Sequence, residues 1–153
     1  YNKYFGLQIG VFRGSCLTGS LHRGAELHGF LSYLIKAAKE RKKYYIFGYK
    51  GKQVRDNMHS EDVVQALWEF YKTKNNSGTY NIGGGRSNSC SILEVIDILK
   101  KKHDIESKYQ MLKKNRSGDH IWYISDNSKF QDKHKNWTIK RNLNSIISEI
   151  VAN

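Results

Sequence analysis

The sequence predicts an α/β domain, and three observations carry that reading. Short apolar runs of strand length alternate with longer stretches whose apolar residues recur at helical spacing. Glycine, asparagine and serine punctuate the joins, and helix-start signatures follow several of them. No internal repeat is visible, and 153 residues are enough to bury a core.

Leu7 to Phe12 is the first strand, an almost continuous apolar run of the kind found in a parallel sheet covered on both faces. Arg13-Gly14-Ser15-Cys16 then sits at its C-terminal end, where open α/β sheets bind ligands. Without further context, Cys16 reads first as a small buried thiol that only packs. Residues 18–24 read as loop. Leu27, Phe30, Leu31, Leu34, Ile35 and Ala38 recur at helical spacing over residues 25–40, and the basic run Lys39 to Lys43 marks that helix's solvated end. Tyr44 to Phe47 is a short strand, Gly48 to Gly51 a turn, and Gln53-Val54-Arg55 a second extended piece. Ser60 is the expected N-cap, with Glu61 and Asp62 in the first turn. Val63, Val64, Ala66, Leu67, Phe70 and Tyr71 form the apolar side of a helix to Lys72. The polar turn Asn75-Asn76-Ser77-Gly78 ends it.

Thr79 to Ile82 is another buried strand, running into Gly83-Gly84-Gly85-Arg86. A glycine cluster between strand and helix invites a phosphate-loop reading, but Gly-x-Gly-x-x-Gly would need glycine at Asn88, and the Gly-Lys-Ser/Thr of a Walker loop is absent. The glycines therefore serve a tight turn. Ser91-Ile92-Leu93-Glu94 is a capping box opening a helix whose apolar side carries Ile92, Val95, Ile96 and Leu99. Strands at Lys108 to Leu112 and Ile121 to Ile124, a short helix capped by Asp126-Asn127-Ser128, and a last helix from Ile139 to Val151 complete the chain.

The 26 Lys and Arg against 14 Asp and Glu give a net charge of +12, which favours an anionic partner: a nucleotide, a nucleic acid or an acidic membrane surface. The tryptophans and tyrosines are scattered and form no ordered platform for single strands, which makes nucleic acid the weaker choice. Cys16 and Cys90 make no disulfide framework, and no run approaches the roughly 18 apolar residues of a spanning helix, so a soluble, cytoplasmic protein is expected. Cys16, His22 and His28 match no zinc-site spacing, and no metal is expected.

Arg55 carries the sharpest choice. Held on a short strand beside a pocket, its planar fork suits a diphosphate; as a surface arginine it would simply pair with Asp56 or Glu61. The stretch around it, Gly48-x-x-Gly51-x-Gln53-Val54-Arg55-Asp56-x-x-His59-x-x-Asp62, resembles the extended short-chain dehydrogenase/reductases, the NAD-dependent nucleotide-sugar epimerases and dehydratases. The resemblance continues in order through residues 12–19, Tyr80 to Gly85 and Arg116-Ser117-Gly118-Asp119, covering nearly the whole chain. Gly24 to Leu31, Phe47 to Asn57 and Ser125 to Lys129 resemble the branch that acts on CDP-linked deoxyhexoses at C2.

This resemblance implies the C-terminal part of a Rossmann-like fold: its last parallel strands plus a small α/β substrate-binding region. Residues 1–19 and 60–103 would belong to the sheet layer, and 20–59 and 104–153 to the substrate region. It implies a substrate site of Arg55 and Arg116 on the diphosphate, with Asp119 beside them. Leu27, His28, Tyr45, Ile46 and Phe47 would lie around the base, Cys16 would lie beside the sugar, and Asn81 is a weaker candidate. Ser15 would touch the nicotinamide of NAD, and His59 would only brace its loop. The chain starts at Tyr1 and lacks both the glycine-rich dinucleotide loop and a well-placed Tyr-x-x-x-Lys pair. The expectation is therefore a fragment, inactive alone, of an oligomeric NAD-dependent epimerase of a CDP-linked deoxyhexose. Another nucleotide-sugar epimerase or a 4,6-dehydratase is the alternative within the family, and a basic polyanion-binding module the alternative outside it. The edge of Leu7 to Phe12 is expected to self-associate.

Overall fold

In a computed structural model that describes residues 1–74 and 76–153, the expected alternation of strands and helices is present. Asn75, part of the expected polar turn, lies outside the described residues. After a single helical turn, α1 (Asn2–Phe5), β1 (Gly10–Gly14) pairs in parallel with β5 (Gly78–Ile82), Phe12 opposite Tyr80. β2 (Cys16–Thr18) follows β1 after a break at Ser15 and runs parallel to β4 (Val54–His59). β4 also takes β6 (Ser89–Ser91) antiparallel and β8 (Trp122–Tyr123) parallel. β3 (Tyr44–Phe47) and β7 (Tyr109–Leu112) form a separate parallel pair.

Two apolar clusters divide the helices. One joins α2 (Phe30–Lys39), β3, α4 (Ile92–His103) and α6 (Leu143–Ala152) through Leu34, Ile35, Ile46, Val95, Leu99 and Ile146, all completely buried. The other is aromatic: Tyr80 of β5, Phe130 of α5 (Ser128–Lys133) and Trp137 close over Met58 of β4 and Ala66 of α3 (Ser60–Lys72). The apolar side of α4 faces α2 and α6, while Phe130 and Trp137, from the far end of the chain, pack on the β1–β5 layer.

Several element ends move for identifiable reasons. α2 starts at Phe30 because Gly29 has φ 71°, a left-handed conformation that breaks the helix, and residues 25–28 form a tight turn bridged between Ala25 and His28. The N-cap of α3 is His59 and not Ser60: its Nδ1 accepts from the Glu61 N–H at 3.2 Å, and its Nε2 lies 3.2 Å from Glu149 on α6. The last helix starts at Leu143 and not Ile139, because the Asp62 carboxylate takes the backbone N–H groups of Lys140 and Arg141 at 3.0 and 3.1 Å and holds that stretch extended. The capping box forms as expected, with Ser91 Oγ accepting from Glu94 N–H and the Glu94 carboxylate from Ser91 N–H.

Candidate ligand-binding cleft

Strand alternation separates Arg55 from its sequence neighbour Asp56. Asp56 turns inward, completely buried, and its Oδ2 accepts from the N–H groups of Gly85 and Ser125 at 2.9 and 3.1 Å. Glu61 is taken by Arg141 at 2.7 and 3.0 Å. Neither acid is therefore the partner of Arg55. Its Nη1 donates to its neighbour's carbonyl, Val54 O, at 2.7 Å, and its Nη2 meets Asp119 Oδ1 at 2.5 Å, both side chains being only 16% exposed. The guanidinium is thus fixed before any ligand arrives.

It faces an open cleft. The floor is β4 and the start of α4, with Gln53, Arg55 and Ile92. One wall is the turn of Glu26, Leu27 and His28, which exists because residues 25–28 do not join α2. Tyr44, Tyr45 and Phe47 of β3 line another side, Cys16 closes an end, and Arg116 and Asp119 reach in from the loop after β7. Arg116 Nη2 donates to Leu27 O at 3.1 Å, tying that loop to the turn. Two guanidinium groups with adjoining aromatic walls suit an anionic ligand carrying a flat ring. Burial pushes the Cys16 thiol up to about 11, only partly offset by the Arg55 charge, and pushes the Tyr44 phenol up to about 12. Both groups are neutral near pH 7 and act here as walls and weak hydrogen-bonding groups.

The cleft therefore brings together Cys16, Leu27, His28, Tyr45, Phe47, Arg55, Arg116 and Asp119. Ile46 is not among its lining residues: alternation along β3 sends its side chain into the core between Tyr45 and Phe47. Asn81 is exposed on β5 opposite Arg13, outside the cleft lining. Ser15 adjoins Cys16, and its Oγ donates to Asp56 O at 3.2 Å. His59 braces α3 against α6. Glu26, Tyr44 and Gln53 also line the cleft and were not among the expected residues, although Gln53 stands inside the motif around Arg55.

Comparison with known proteins now fixes the class. Residues 1–83 match the NAD dependent epimerase/dehydratase family. The chain belongs to that family, and its fold is that of the extended short-chain dehydrogenase/reductases. Among particular relatives, it is 31% identical over 134 residues to CDP-paratose 2-epimerase of Salmonella typhi, a match covering 82% of this chain and 39% of that protein. The structure of UDP-glucuronic acid 4-epimerase from Bacillus cereus, in complex with UDP-glucuronic acid and NAD, matches with a TM-score of 0.82 and 27% identity, over 99% of this chain and 46% of that one. UDP-glucose 4-epimerase of Thermus thermophilus, in complex with NAD, has the same fold with a TM-score of 0.84 at 17% identity, over 99% of this chain and 48% of that one. The chain thus spans less than half the length of these relatives. No described helix is long and apolar enough to cross a membrane.

Proposed function

We propose that this chain forms the nucleotide-sugar-binding part of an NAD-dependent epimerase, acting on a CDP-linked deoxyhexose at C2 and so converting CDP-paratose to CDP-tyvelose. The observation that carries this reading is the convergence of Arg55 and Arg116, distant in sequence, on one cleft. The two guanidinium groups hold the diphosphate from two sides, and Tyr45 and Phe47 face Leu27 and His28 across the base. Asp119 steadies Arg55 beside the diphosphate, and Cys16 lies toward the sugar. The CDP-paratose 2-epimerase relative supports cytidine as the nucleoside and C2 as the carbon. A polyanion-binding module would need one continuous basic face; arginines meeting in a cleft favour the sugar nucleotide.

Of this chain's residues, Ser15 fits the nicotinamide end of NAD: its hydroxyl proton is committed to Asp56 O, which leaves its lone pairs to accept from a carboxamide. NAD, when bound, supplies the hydride acceptor and donor for transient oxidation of the sugar. The chain's own Tyr-x-x-x-Lys, Tyr109 to Lys113, begins on β7, which pairs with β3 and not with the strand end that carries Ser15. The chain alone accordingly binds without turnover. Calorimetric titration with CDP is the test. Measurable binding that weakens on Arg55→Ala is expected, and equal affinity before and after the substitution overturns the assignment.

A further inference from the structure

Tyr44 opens β3 with its ring packed on Tyr33 of α2, the centroids 5.8 Å apart, and is only 5% exposed. It nevertheless lines the cleft, and its phenol makes no hydrogen bond among the described residues while its oxygen stays open to the cleft. Tyrosines this deeply buried normally give their hydroxyl a partner. The surroundings place the phenol along the cleft. Arg116 Nη2 is held by Leu27 O, which sets Glu26, the residue before Leu27, at the Arg116 end. The charges of Arg116, Asp119 and Glu26 act on the Tyr44 phenol, whereas those of Arg55 and Asp56 act on the Cys16 thiol. Cys16 thus stands at the Arg55 end, and Tyr44 and Glu26 stand at the other, with Asp119 joining the two through its bond to Arg55.

Two carboxylates beside an uncharged phenol do not suit a phosphate, whose oxygens only accept hydrogen bonds and are repelled by Glu26 and Asp119. A sugar hydroxyl both donates and accepts, so a phenol O–H and a carboxylate side by side match a vicinal diol. In a nucleoside diphosphate that diol belongs to the ribose, which lies between the diphosphate and the base. Resting on the nucleotide reading above, we propose that Tyr44 and Glu26 read the ribose: the Tyr44 phenol donates to one of its 2′- and 3′-hydroxyls, and the Glu26 carboxylate accepts from the other. The order along the cleft is then sugar at Cys16, diphosphate at Arg55 and Arg116, and ribose at Tyr44 and Glu26. The two groups differ in freedom. The Tyr44 ring is held by Tyr33 before any ligand arrives, whereas Glu26 is exposed on its turn and must be ordered. The site therefore selects nucleotides that carry the diol over those that lack it.

The test is calorimetric titration of the chain with CDP and with 2′,3′-dideoxycytidine diphosphate, which keeps the base and the diphosphate and lacks the diol. CDP is expected to bind about tenfold or more tightly, because the dideoxy nucleotide leaves the phenol and the carboxylate without their partners. Tyr44→Phe keeps the ring on Tyr33 and removes only the hydroxyl; Glu26→Ala removes the acceptor. Each should weaken CDP several-fold while leaving the dideoxy nucleotide within about twofold of its wild-type affinity, so that the preference shrinks. A residue that only packs would weaken both ligands alike, and that result for Tyr44→Phe overturns the proposal. If the wild type binds both ligands equally and loses both on Arg55→Ala, the nucleotide site stands and the ribose reading is overturned. If neither ligand binds, both readings fall. Should Tyr44→Phe not fold, Glu26→Ala decides: a preference left intact overturns the proposal, and a reduced one sustains it.

Discussion

The two arginines of the cleft stand on walls of opposite character. Arg55 rises from β4, a strand paired along its length with β2, β6 and β8, whose next four residues, Asp56 to His59, are all buried. Arg116 stands in the stretch between β7 and β8, where residues 113–118 are all exposed, and a single bond to Leu27 O ties its guanidinium down. The strand wall is set before binding; the loop wall must give up side-chain and backbone freedom as a ligand arrives. Equal charges on the two walls should therefore contribute unequally to affinity.

The largest effect should come from the strand wall. Arg55→Ala is expected to weaken CDP binding by about 1–3 kcal/mol, because it removes charge-assisted hydrogen bonds to the diphosphate from a group already held in place, and calorimetry reads this directly. Arg116→Ala should weaken CDP by less, about 1 kcal/mol, and that contribution should shrink further as salt rises, since exposed charges are screened over about 8–10 Å. An Arg116 effect as large as that of Arg55, and as insensitive to salt, would abolish the distinction between the walls.

The strand wall's rigidity depends in turn on the aromatic cluster beneath β4, which makes pH a milder probe. His134 stacks on Phe130 at 4.2 Å and lies 3.2 Å from both Thr73 Oγ1 and Asn76 Nδ2. Asn76 Oδ1 accepts from Tyr80 Oη, so Asn76 donates to His134 Nε2, which is then unprotonated. Burial holds the imidazole pKa below its ordinary value. The unfolded chain consequently takes up this proton first, near pH 6.5 and about one unit to either side, and stability should fall as pH drops through that window and level off once the folded ring is protonated too. The slope should stay under about 1.4 kcal/mol per pH unit, and denaturant titrations at pH 7.5 and about 5.5 measure it. His134→Asn should flatten it.

The smallest expected effect concerns the edge of β1. Among the described residues β1 pairs only with β5, and Leu7 and Val11 are 51% and 50% exposed. Weak self-association through this edge is expected, stronger at high salt as the +12 charge is screened. Sedimentation at low and high salt checks it, and a monomer under both conditions contradicts it.

The sequence made some of this architecture plain and hid the rest for physical reasons. Ser91 and Glu94 announce α4 because a capping box is local chemistry, and Tyr44 to Phe47 announce β3 because a strand between a basic turn and a glycine has few other readings. β6 stayed invisible: Ser89-Cys90-Ser91 has no apolar alternation and is a strand only because β4 pairs with it. The delayed start of α6 depends on Asp62, far away in sequence, holding Lys140 and Arg141. The motif around Arg55 pointed to an arginine that lines the cleft. That Asp56 turns away and Asp119 becomes the partner follows from alternation and from a loop whose position only the fold supplies.

The central claim is that Arg55 and Arg116 hold one diphosphate from two walls. Calorimetric titration of the wild type, Arg55→Ala, Arg116→Ala and the double variant with CDP, and with cytidine as the phosphate-free control, tests it most directly. The account predicts that each single substitution weakens CDP, Arg55→Ala more strongly, that the two effects are non-additive because both groups bind one ligand moiety, and that cytidine affinity hardly changes in any variant. Unchanged CDP affinity in both single variants, or a loss for cytidine as large as that for CDP, would contradict it.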